Sequence, residues 1–372
     1  MYIKKIKLKD FRNYDSIELN FNSKVNFILG QNAQGKTNLL ESIYITSIGR
    51  SFRTGRDSEM IGFEKNFSRV YEEISKDGID GSVEIIIDRA GKKFVKLDGV
   101  KIKKASELLK NVYIVIFSPE DLKIVKEEPE KRRKFIDREL CQIKPSYYDS
   151  ISNYKKVLLQ RNSYLKEDNI EPSILDIWDI QLAKYGSRVM NGRNDFIEKL
   201  NNISSEIHRN ITGGKENLKL KYAPHTEHFN DISKQEDYLF DTLKNSRDND
   251  LRQRTTTKGP HKDDLEFYID GINARNFGSQ GQQRLAVLAL KLSEIEIFKK
   301  CKNTTPILLL DDVFSEIDEK KNNNLLKYLS KDLQVIITAV SLQNFNKETL
   351  SKAKIFKIDK GKIKIQRGDL YE

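Results

Sequence analysis

The pattern of apolar residues divides the chain into two β-rich ends and a helical middle. Apolar and polar positions alternate through residues 1–21, and an apolar run covers Val25 to Leu29 just before a glycine. Alternation returns in residues 82–104, where Asp98-Gly99 is a strong hairpin signal. The continuous apolar run from Val112 to Phe117 is typical of a buried strand.

The middle of the chain has helical spacing between residues of about 129 and 254. Its longest segment starts after Pro172 and is closed by Gly213-Gly214. About 40 residues at ~1.5 Å each give a helix near 60 Å long, which suits an arm that projects from a compact head. Gly186 and Gly192 are the candidate positions for a kink. The apolar stripe of this helix is expected to pack against other helices.

The chain then returns to β structure. Leu265 to Ile269 alternate, Ser279 stands as the N-cap of an apolar helix, and Ile307 to Leu310 form an apolar strand. Strands at Val335 to Ala339 and a final strand pair at Ile355 to Ile365 follow. The pattern predicts an α/β head built from residues 1–118 and 256–372. Residues 119–255 are predicted to be a mainly helical domain inserted into that head.

Composition indicates a soluble globular protein. A third of the residues are charged (33%), mean hydropathy is −0.61, and no apolar run approaches the ~18 residues of a membrane span. The first residues alternate like a strand and do not resemble a signal peptide. The two cysteines, Cys141 and Cys301, are far apart and lack metal-site spacing. We therefore expect a cytoplasmic protein without a disulfide framework.

The net charge of +11 is concentrated at the two ends. Residues 1–118 carry 21 Lys and Arg against 15 Asp and Glu, which gives +6, and residues 256–372 carry 20 against 16, which gives +4. Residues 119–255 carry 25 against 24, which gives only +1. A polyanion such as nucleic acid is one interpretation of the basic ends, and a generally lysine-rich proteome is the other.

The stretch between the first apolar run and the next helix fits a phosphate loop. Gly30, Gly35, Lys36 and Thr37 match the pattern G-x-x-x-x-G-K-[ST] with no mismatch. Backbone N–H groups of such a loop bind phosphate oxygens, the lysine adds a positive charge, and the threonine hydroxyl binds Mg²⁺. We therefore predict binding of a nucleoside triphosphate with Mg²⁺ by Gly30, Gln31, Asn32, Ala33, Gln34, Gly35, Lys36 and Thr37.

The apolar strand before Asp311-Asp312 is the expected partner of that loop. Asp311, at its tip, is predicted to hold Mg²⁺ through water, and Thr37 is predicted to offer the ion its hydroxyl. Asp312, beside it, is predicted to orient or deprotonate the attacking water. Acidic residues at the end of a strand are common, so the prediction depends on the phosphate loop upstream.

The segment Ser279-Gln-Gly281-Gln-Gln283 stands at the start of a helix. A hydroxyl and a glycine backbone at a helix N-terminus form a second anion site. One nucleotide rarely needs two such helices from one chain. We therefore predict that Ser279 and Gly281 complete the nucleotide site of a second copy of the protein.

Two basic segments are candidate DNA contacts, and the charge of each also has a simpler explanation. Arginines stand three apart in a Gly/Ser/Thr-rich loop after the phosphate-loop helix, and they suit phosphate contacts to ATP or a polymer unless the loop is merely solvated. Lysines crowd the predicted hairpin turns, where they suit a DNA backbone or protect a sheet edge from aggregation. The candidates are Arg50, Arg53, Arg56, Lys92, Lys93 and Lys96.

The order of these motifs resembles the SMC-like heads of ABC-type ATPases and, more narrowly, the RecF family of bacterial recombination mediators. The resemblance rests on segments spread over nearly the whole chain: FRNY at 11–14, GQNAQGKTNLLE at 30–41, GRSFRT at 49–54, FSPEDL at 117–122, GPHKDDLEF at 259–267, SQGQQR at 279–284 and LLLDDVFSEID at 308–318.

The resemblance implies a function and partners. Members of the family bind duplex DNA as ATP-bound dimers, hydrolyse ATP slowly, and act with RecR and RecO to load the strand-exchange recombinase onto gapped DNA. Gly30 to Thr37 would bind ATP, Asp311 and Asp312 would complete the Mg²⁺ and water arrangement, and Ser279 with Gly281 would reach the γ-phosphate in the opposite subunit. Residues 315–318 would lie at the dimer seam.

The chain departs from the broader ABC pattern at three positions. The usual glutamate after the strand aspartate is Asp312, a shorter side chain that is consistent with slow turnover. The Q-loop glutamine has no clear counterpart, and Ser118-Pro-Glu120 stands near its place. The switch histidine is missing, with Thr338 as the candidate substitute.

Two other classes compete with an ATP-gated DNA-binding switch. The helical insert and the basic head weigh against a transporter ATPase, which co-purification with a permease would revive. A structural chromosome protein of SMC type needs hundreds of residues of heptad repeats, and the insert is far too short.

Overall fold

The computed structural model describes residues 1–313, 333–343 and 345–367. They divide into two compact units: Met1–Asp121 with the described residues from Phe298 on, and Leu122–Ile297. The predicted α/β fold is confirmed, with a helical unit inserted into a two-sheet unit. The second unit extends past the predicted end of the insert, because residues 256–297 belong to it.

Long-range pairing explains the later boundary. Strand β10 (Asp264–Ile269) pairs antiparallel with β9 (Leu218–Ala223) over six residue pairs, and this pairing places the segment after residue 256 with the helices. Arg193 on the longest helix also donates to the carbonyl of Pro260 at 2.6 Å. Neither contact is visible in the periodicity of the sequence.

The first unit contains two six-stranded sheets. One is antiparallel, in the order β2-β1-β4-β5-β6-β7, with β1 (Tyr2–Phe11), β2 (Tyr14–Asn20), β4 (Phe67–Lys76), β5 (Ile79–Asp88), β6 (Lys93–Leu97) and β7 (Val100–Lys101). The other has the order β15-β14-β3-β13-β12-β8, with β3 (Val25–Leu29), β8 (Ile114–Phe117), β12 (Ile307–Asp311), β13 (Val335–Ala339), β14 (Ala353–Asp359) and β15 (Lys362–Arg367). All its neighbouring pairs are parallel except the β14–β15 hairpin.

Helix α1 (Lys36–Ile48) forms the core of this unit. Leu39, Leu40, Ile43 and Tyr44 are all fully buried, and they belong to one apolar cluster with residues from both sheets. The short helices α2 (Ala105–Leu108) and α11 (Lys347–Ser351) complete the described part of the unit. Burial of nearly every residue of α1 fixes the direction in which its N-terminus points.

The two sheets are also joined by one amide side chain. The buried Gln334 accepts from Ile3 N–H at 2.8 Å and donates to Ile3 C=O at 2.9 Å and Asn22 C=O at 2.8 Å. A single side chain therefore satisfies three backbone groups where β1, the end of β2 and the start of β13 meet.

The second unit is mainly helical. Its helices are α3 (Lys123–Lys126), α4 (Pro129–Ile143), α5 (Pro145–Tyr164), α6 (Pro172–Thr212), α7 (Ile232–Asn245), α8 (Arg247–Gln253), α9 (Ala274–Phe277) and α10 (Gln280–Lys302), of which α10 passes into the first unit at Phe298. A small sheet has the order β11-β10-β9, with β11 at Ile272–Asn273. The 41-residue α6 continues through both Gly186 and Gly192, which lie buried against Leu239 and Tyr147.

Buried ion pairs hold the helices of this unit together. Arg193 contacts Asp137 at 2.9 Å and Asp263 at 3.0 Å, and all three side chains are nearly inaccessible to solvent. Arg161 on α5 contacts Asp179 at 2.8 Å and Asp250 at 2.7 Å. Each arginine thus links elements that are far apart in the sequence.

Candidate nucleotide site

The phosphate loop lies between β3 and α1, as predicted. The Lys36 ammonium donates to the carbonyls of Gly30 at 2.5 Å and Gln31 at 3.1 Å, so it lies across the mouth of the loop. Gly35, directly before the helix, has φ 114°, a conformation that side chains disfavour. A Cβ at Gly35 would also fall 2.7 Å from the amide nitrogen of Asn13. The sequence therefore needs glycine here for two independent reasons.

The turn between β1 and β2 supports the loop from behind. The buried Tyr14 donates its hydroxyl to Gly35 C=O at 2.8 Å, and burial raises its pKa, so it stays a donor. Asn13 donates to Gln34 C=O at 3.1 Å and accepts from Asn38 at 2.8 Å. These bonds occupy loop carbonyls and leave the N–H side for an anion. Sequence reasoning noticed the FRNY segment but assigned it no role.

The turn of the C-terminal hairpin supports the loop from another side. Lys360 N–H donates to the Gln34 side chain at 2.6 Å, and Gly361 N–H donates to Gln34 C=O at 3.2 Å. Gly361 has φ 72° and packs so closely on the carbonyl of Asn13 that a side chain would clash. Gln34 is thus held from a position 326 residues away, which no local pattern indicates.

The acidic strand end reaches the start of α1. The Thr37 hydroxyl donates to the carboxylate of Asp311 at 2.9 Å, and Thr338 donates to the same carboxylate at 2.8 Å. Asp312 has φ 51°, and its N–H donates to the Thr338 hydroxyl at 2.9 Å. Strand β13 lies between β3 and β12, so the phosphate loop and the acidic pair meet across one strand.

The charged forms of Lys36 and Asp311 are both penalised by burial. Desolvation raises the pKa of Asp311 despite the hydrogen bonds from Thr338 and Thr37. Desolvation also lowers the pKa of Lys36, against the opposing attraction of Asp312 and Asp311. A ligand that carries both negative phosphates and a cation would relieve both penalties.

The donor set fits Mg²⁺. A hydroxyl and a carboxylate are hard oxygen groups of the kind that Mg²⁺ prefers. The nearest side-chain oxygens of Thr37 and Asp311 lie 2.9 Å apart. Among the described residues, no group of three or more His, Cys, Asp or Glu side chains is placed to hold a metal ion. Thr37 and Asp311 would hold the ion together with the phosphates, and the ion would neutralise charge on them.

A buried carboxylate in α1, which sequence reasoning missed, organises the loop after that helix. Glu41 is fully buried and receives two bonds from Arg12, at 2.6 Å and 2.8 Å. Arg53 contacts Glu41 at 3.4 Å and donates to Asn38 at 2.7 Å, and the Ser51 hydroxyl also bonds Glu41. The available signal was a single acidic residue next to the apolar stripe of the helix. Arg53 is therefore tied to the nucleotide side of the unit.

The other candidate DNA contacts differ in whether their side chains bond to other residues or are exposed. Lys93 bonds Asp57 at 2.6 Å and the carbonyl of Gly49 at 2.7 Å, and Lys96 pairs with Glu84 at 2.8 Å. Arg50, Arg56 and Lys92 are exposed. The structure thus places Lys93 in an internal bridge and leaves the last three on the surface. DNA contact by any of the six residues stays a prediction.

Ser279 caps α10, as predicted. Its hydroxyl accepts from Gln282 N–H at 3.2 Å, and the Gln282 side chain accepts from Ser279 N–H at 2.9 Å, which is a complete capping box. Gln282 also donates to Glu216 at 3.0 Å, and the buried Gln283 donates to the carbonyl of Ala274 at 2.8 Å. Gly281, in the first turn, is exposed. Contact with a second subunit stays a prediction.

Two further predictions concern the dimer seam and the Q-loop. The proposed seam residues 315–318 lie outside the described residues. Near the expected Q-loop, Ser118 donates its N–H to Asp121 at 2.8 Å and so starts a tight turn after β8.

No helix in residues 1–313, 333–343 or 345–367 is long and apolar enough to cross a membrane.

Comparison with known proteins agrees with this geometry. Residues 2–364 match the family described as RecF/RecN/SMC N terminal domain. The chain is 45% identical to the DNA replication and repair protein RecF of Lachnospira eligens, over 98% of this chain and 99% of that protein. It is 42% identical to the RecF protein of Clostridium acetobutylicum, with the same two coverages.

Solved structures give the same result. A structure described as the recombination mediator protein RecF-ATP in the RecFOR pathway superimposes with a TM-score of 0.92 at 36% identity, and it covers 99% of this chain and 98% of that one. An Smc head bound to the C-winged helix domain of ScpA has a TM-score of 0.55 at 18% identity and shares the fold. The match to whole RecF proteins confirms the resemblance in the sequence motifs: the chain belongs to the RecF family of DNA replication and repair proteins, within the SMC-like ABC-type ATPases.

Proposed function

We propose that this protein is an ATP-gated DNA-binding switch of recombinational repair. It binds ATP with Mg²⁺ at Gly30 to Thr37 and Asp311, dimerises in that state, and binds duplex DNA at gaps or junctions between single and double strands. Slow, DNA-stimulated hydrolysis, oriented by Asp312, ends the bound state. The protein acts in the cytoplasm on the nucleoid.

The observation that carries the proposal is the pair of buried groups at the phosphate loop whose charged forms are disfavoured by burial. Among the described residues, the loop lysine and the strand aspartate have only carbonyl and hydroxyl partners within 3.1 Å, and a Mg²⁺-triphosphate supplies both missing charges. The capping box supports the dimer, because it holds the Ser279 segment at the N-terminus of a 23-residue helix, where anions are favoured.

The partners follow from chemistry and family. Residues 1–118 and 256–372 together carry a charge of +10, which favours a polyanion such as duplex DNA. The RecF protein of the solved complex is described as a recombination mediator of the RecFOR pathway. We therefore propose mediators of the RecO and RecR type as partners, and loading of the strand-exchange recombinase as the outcome. A transporter subunit is disfavoured by the match to RecF proteins over the whole chain.

Sedimentation with a slowly hydrolysed ATP analogue tests the proposal directly. The wild-type chain should shift from monomer to dimer with the analogue and Mg²⁺, and it should then retain duplex DNA. A chain that stays monomeric at saturating nucleotide would contradict the proposal.

Asp312→Asn separates assembly from hydrolysis. The substitution keeps the backbone N–H that bonds Thr338 but removes the charge that orients water. We expect the dimer to form and to persist with ATP itself, with turnover at least about tenfold slower. Release of DNA at the wild-type rate would exclude this role for Asp312.

A further inference from the structure

Thr338 lies between the two acidic residues of the nucleotide site. It is fully buried at the end of β13, where its backbone is the register partner of Asp311 on one side and Ile28 on the other. The next residue, Ala339, accepts a hydrogen bond from Gly30 N–H at 3.3 Å. This strand end thus contacts the phosphate loop and the acidic strand at the same time.

The hydroxyl of Thr338 has no proton left for a nucleotide. A hydroxyl has one proton and two lone pairs. Because the Asp312 N–H can only donate, it occupies a lone pair of Thr338 Oγ1 at 2.9 Å. The single proton is therefore directed to Asp311 Oδ1, at 2.8 Å. This polarity argues against the prediction that Thr338 replaces the switch histidine by direct contact with ATP.

We propose that Thr338 is a positioning residue that holds both carboxylates of the Mg²⁺-ATP site. One bond orients the Asp311 carboxylate toward Thr37, and the other holds the backbone of Asp312 in its left-handed conformation at φ 51°. The inference deepens the proposed function, because it rests on Mg²⁺-ATP binding at this site.

The bonding of Thr37 and the position of Thr338 on the neighbouring strand both support a positioning role for Thr338. Thr37 also bonds Asp311, but its hydroxyl is the group that would bind the metal, so it cannot be counted on to orient the carboxylate in the bound state. Thr338 approaches Asp311 from the neighbouring strand and keeps its bond whatever Thr37 binds. The Thr338 hydroxyl is therefore bonded to both acidic residues, to the carboxylate of Asp311 and to the backbone N–H of Asp312.

The test compares Thr338→Val with Thr338→Ser in the full-length chain. Valine keeps the shape and removes the hydroxyl, whereas serine keeps the hydroxyl and loses a methyl group. Binding of a fluorescent ATP analogue is titrated with MgCl₂ and measured again in EDTA. Thr304→Val is the matched control, because the Thr304 hydroxyl is buried without a hydrogen-bond partner among the described residues.

We expect valine to raise the Mg²⁺ concentration for half-maximal binding about tenfold or more, since a hydrogen bond to a buried charged group is lost. Binding in EDTA should be unchanged, and serine should restore the Mg²⁺ dependence to within about threefold of wild type. A general loss of structure would weaken binding in EDTA as well. Equal Mg²⁺ dependence of the valine and serine variants, or an equal loss in EDTA, would overturn the proposal.

If the valine variant does not fold, Thr338→Ala and Thr338→Ser give the same comparison, since they differ only in the hydroxyl.

The measurement concerns nucleotide binding by one chain. Wild-type protein that binds Mg²⁺-ATP but stays monomeric would therefore refute the proposed dimer switch and leave this inference standing.

Discussion

The network around Arg193 in the helical unit and the phosphate loop of the first unit bury charged side chains in opposite ways. In the helical unit, Arg193 lies between Asp137 and Asp263, and these carboxylates raise the pKa of Arg193 well above its usual value although burial opposes them. Arg193 and Lys155 in turn lower the pKa of Asp137 against its burial. Asp263 is the exception, since burial raises its pKa despite the bonds from Arg193 and Tyr222. Most of these charges are compensated inside the protein.

At the phosphate loop, attraction and hydrogen bonds only partly offset the cost of burying Lys36 and Asp311. The pKa of Lys36 is lowered and that of Asp311 is raised, so each charged form is disfavoured. In the helical unit, Arg193 and its carboxylate partners form a network that holds helices together. At the phosphate loop, the charged forms of Lys36 and Asp311 would be stabilised by a bound ligand. At the phosphate loop the charged forms of both Lys36 and Asp311 are disfavoured, whereas those of Arg193 and Asp137 are favoured, which is the contrast expected between a binding site and a structural ion pair.

Arg193→Met breaks the compensated network and should have the largest effect. It leaves two buried carboxylates without their partner, and we expect a loss of about 3–5 kcal/mol in the free energy of unfolding. Denaturant unfolding measures the loss. Arg188→Met is the matched control, because Arg188 is exposed on the same helix, and it should stay within about 0.5 kcal/mol of wild type. A loss below about 1 kcal/mol for Arg193→Met would show that the network is not a unit of stability.

Lys36→Ala tests the opposite case, a buried charge that serves a ligand. Binding of Mg²⁺-ATP should weaken about 100-fold, because a charge-assisted contact with phosphate is worth about 1.5–3 kcal/mol. Nucleotide-dependent DNA binding should disappear with it. Unfolding without nucleotide should change by less than about 1 kcal/mol, since the ammonium bonds two carbonyls and no carboxylate among the described residues.

Lys92→Ala is the control for that experiment. Lys92 is exposed in a turn, so its loss should leave ATP affinity unchanged. Fluorescence titration with an ATP analogue compares the three proteins. If Lys36→Ala bound ATP normally but unfolded easily, Lys36 would belong with the structural ion pairs.

The two units also differ in how much of them the sequence predicts. The phosphate loop is a continuous motif, so Lys36, Thr37 and the start of α1 lie where the pattern places them. Ser279 as a cap is equally local, because its partner Gln282 is three residues away. The helix boundaries near Pro172 and Gly213 follow from the same kind of short-range signal.

The contacts that the sequence does not reveal are those between distant segments. Thr338 bonds Asp311 across 27 residues, and Lys360 bonds Gln34 across 326. The pairing of β9 with β10 moved the domain boundary past residue 256 for the same reason. Periodicity identifies strands and helices, but it does not say which strands become neighbours.

A buried glutamate adds a third case to the comparison between the Arg193 network and the phosphate loop. Glu72 on β4 is completely buried, accepts one bond from Thr46 at 3.1 Å, and has an Oε1 atom without a hydrogen-bond partner in the described part of the chain. Burial raises its pKa well above 4.5. Among the described residues it has neither an ionic partner nor a place in the nucleotide site, so burial favours its neutral, protonated form.

Glu72→Gln should therefore change how stability depends on pH. Because the folded pKa exceeds the unfolded value, the stability from this group is fully present below about pH 4.5 and is lost as pH rises toward and through the folded pKa. Glutamine needs no proton, so the variant should match wild type near pH 4.5 and be more stable than wild type at pH 8. The gain should grow by about 1.4 kcal/mol for each pH unit between the unfolded and the folded pKa of Glu72.

Denaturant unfolding between pH 4.5 and pH 8 measures this difference. Glu73→Gln is the matched control, because Glu73 is the next residue on the strand and faces the other side of the sheet, where it is partly exposed. A constant difference between Glu72→Gln and wild type at all pH values would mean that Glu72 is ionised in the folded protein. It would then need a cationic partner, as Glu41 of the same unit has in Arg12.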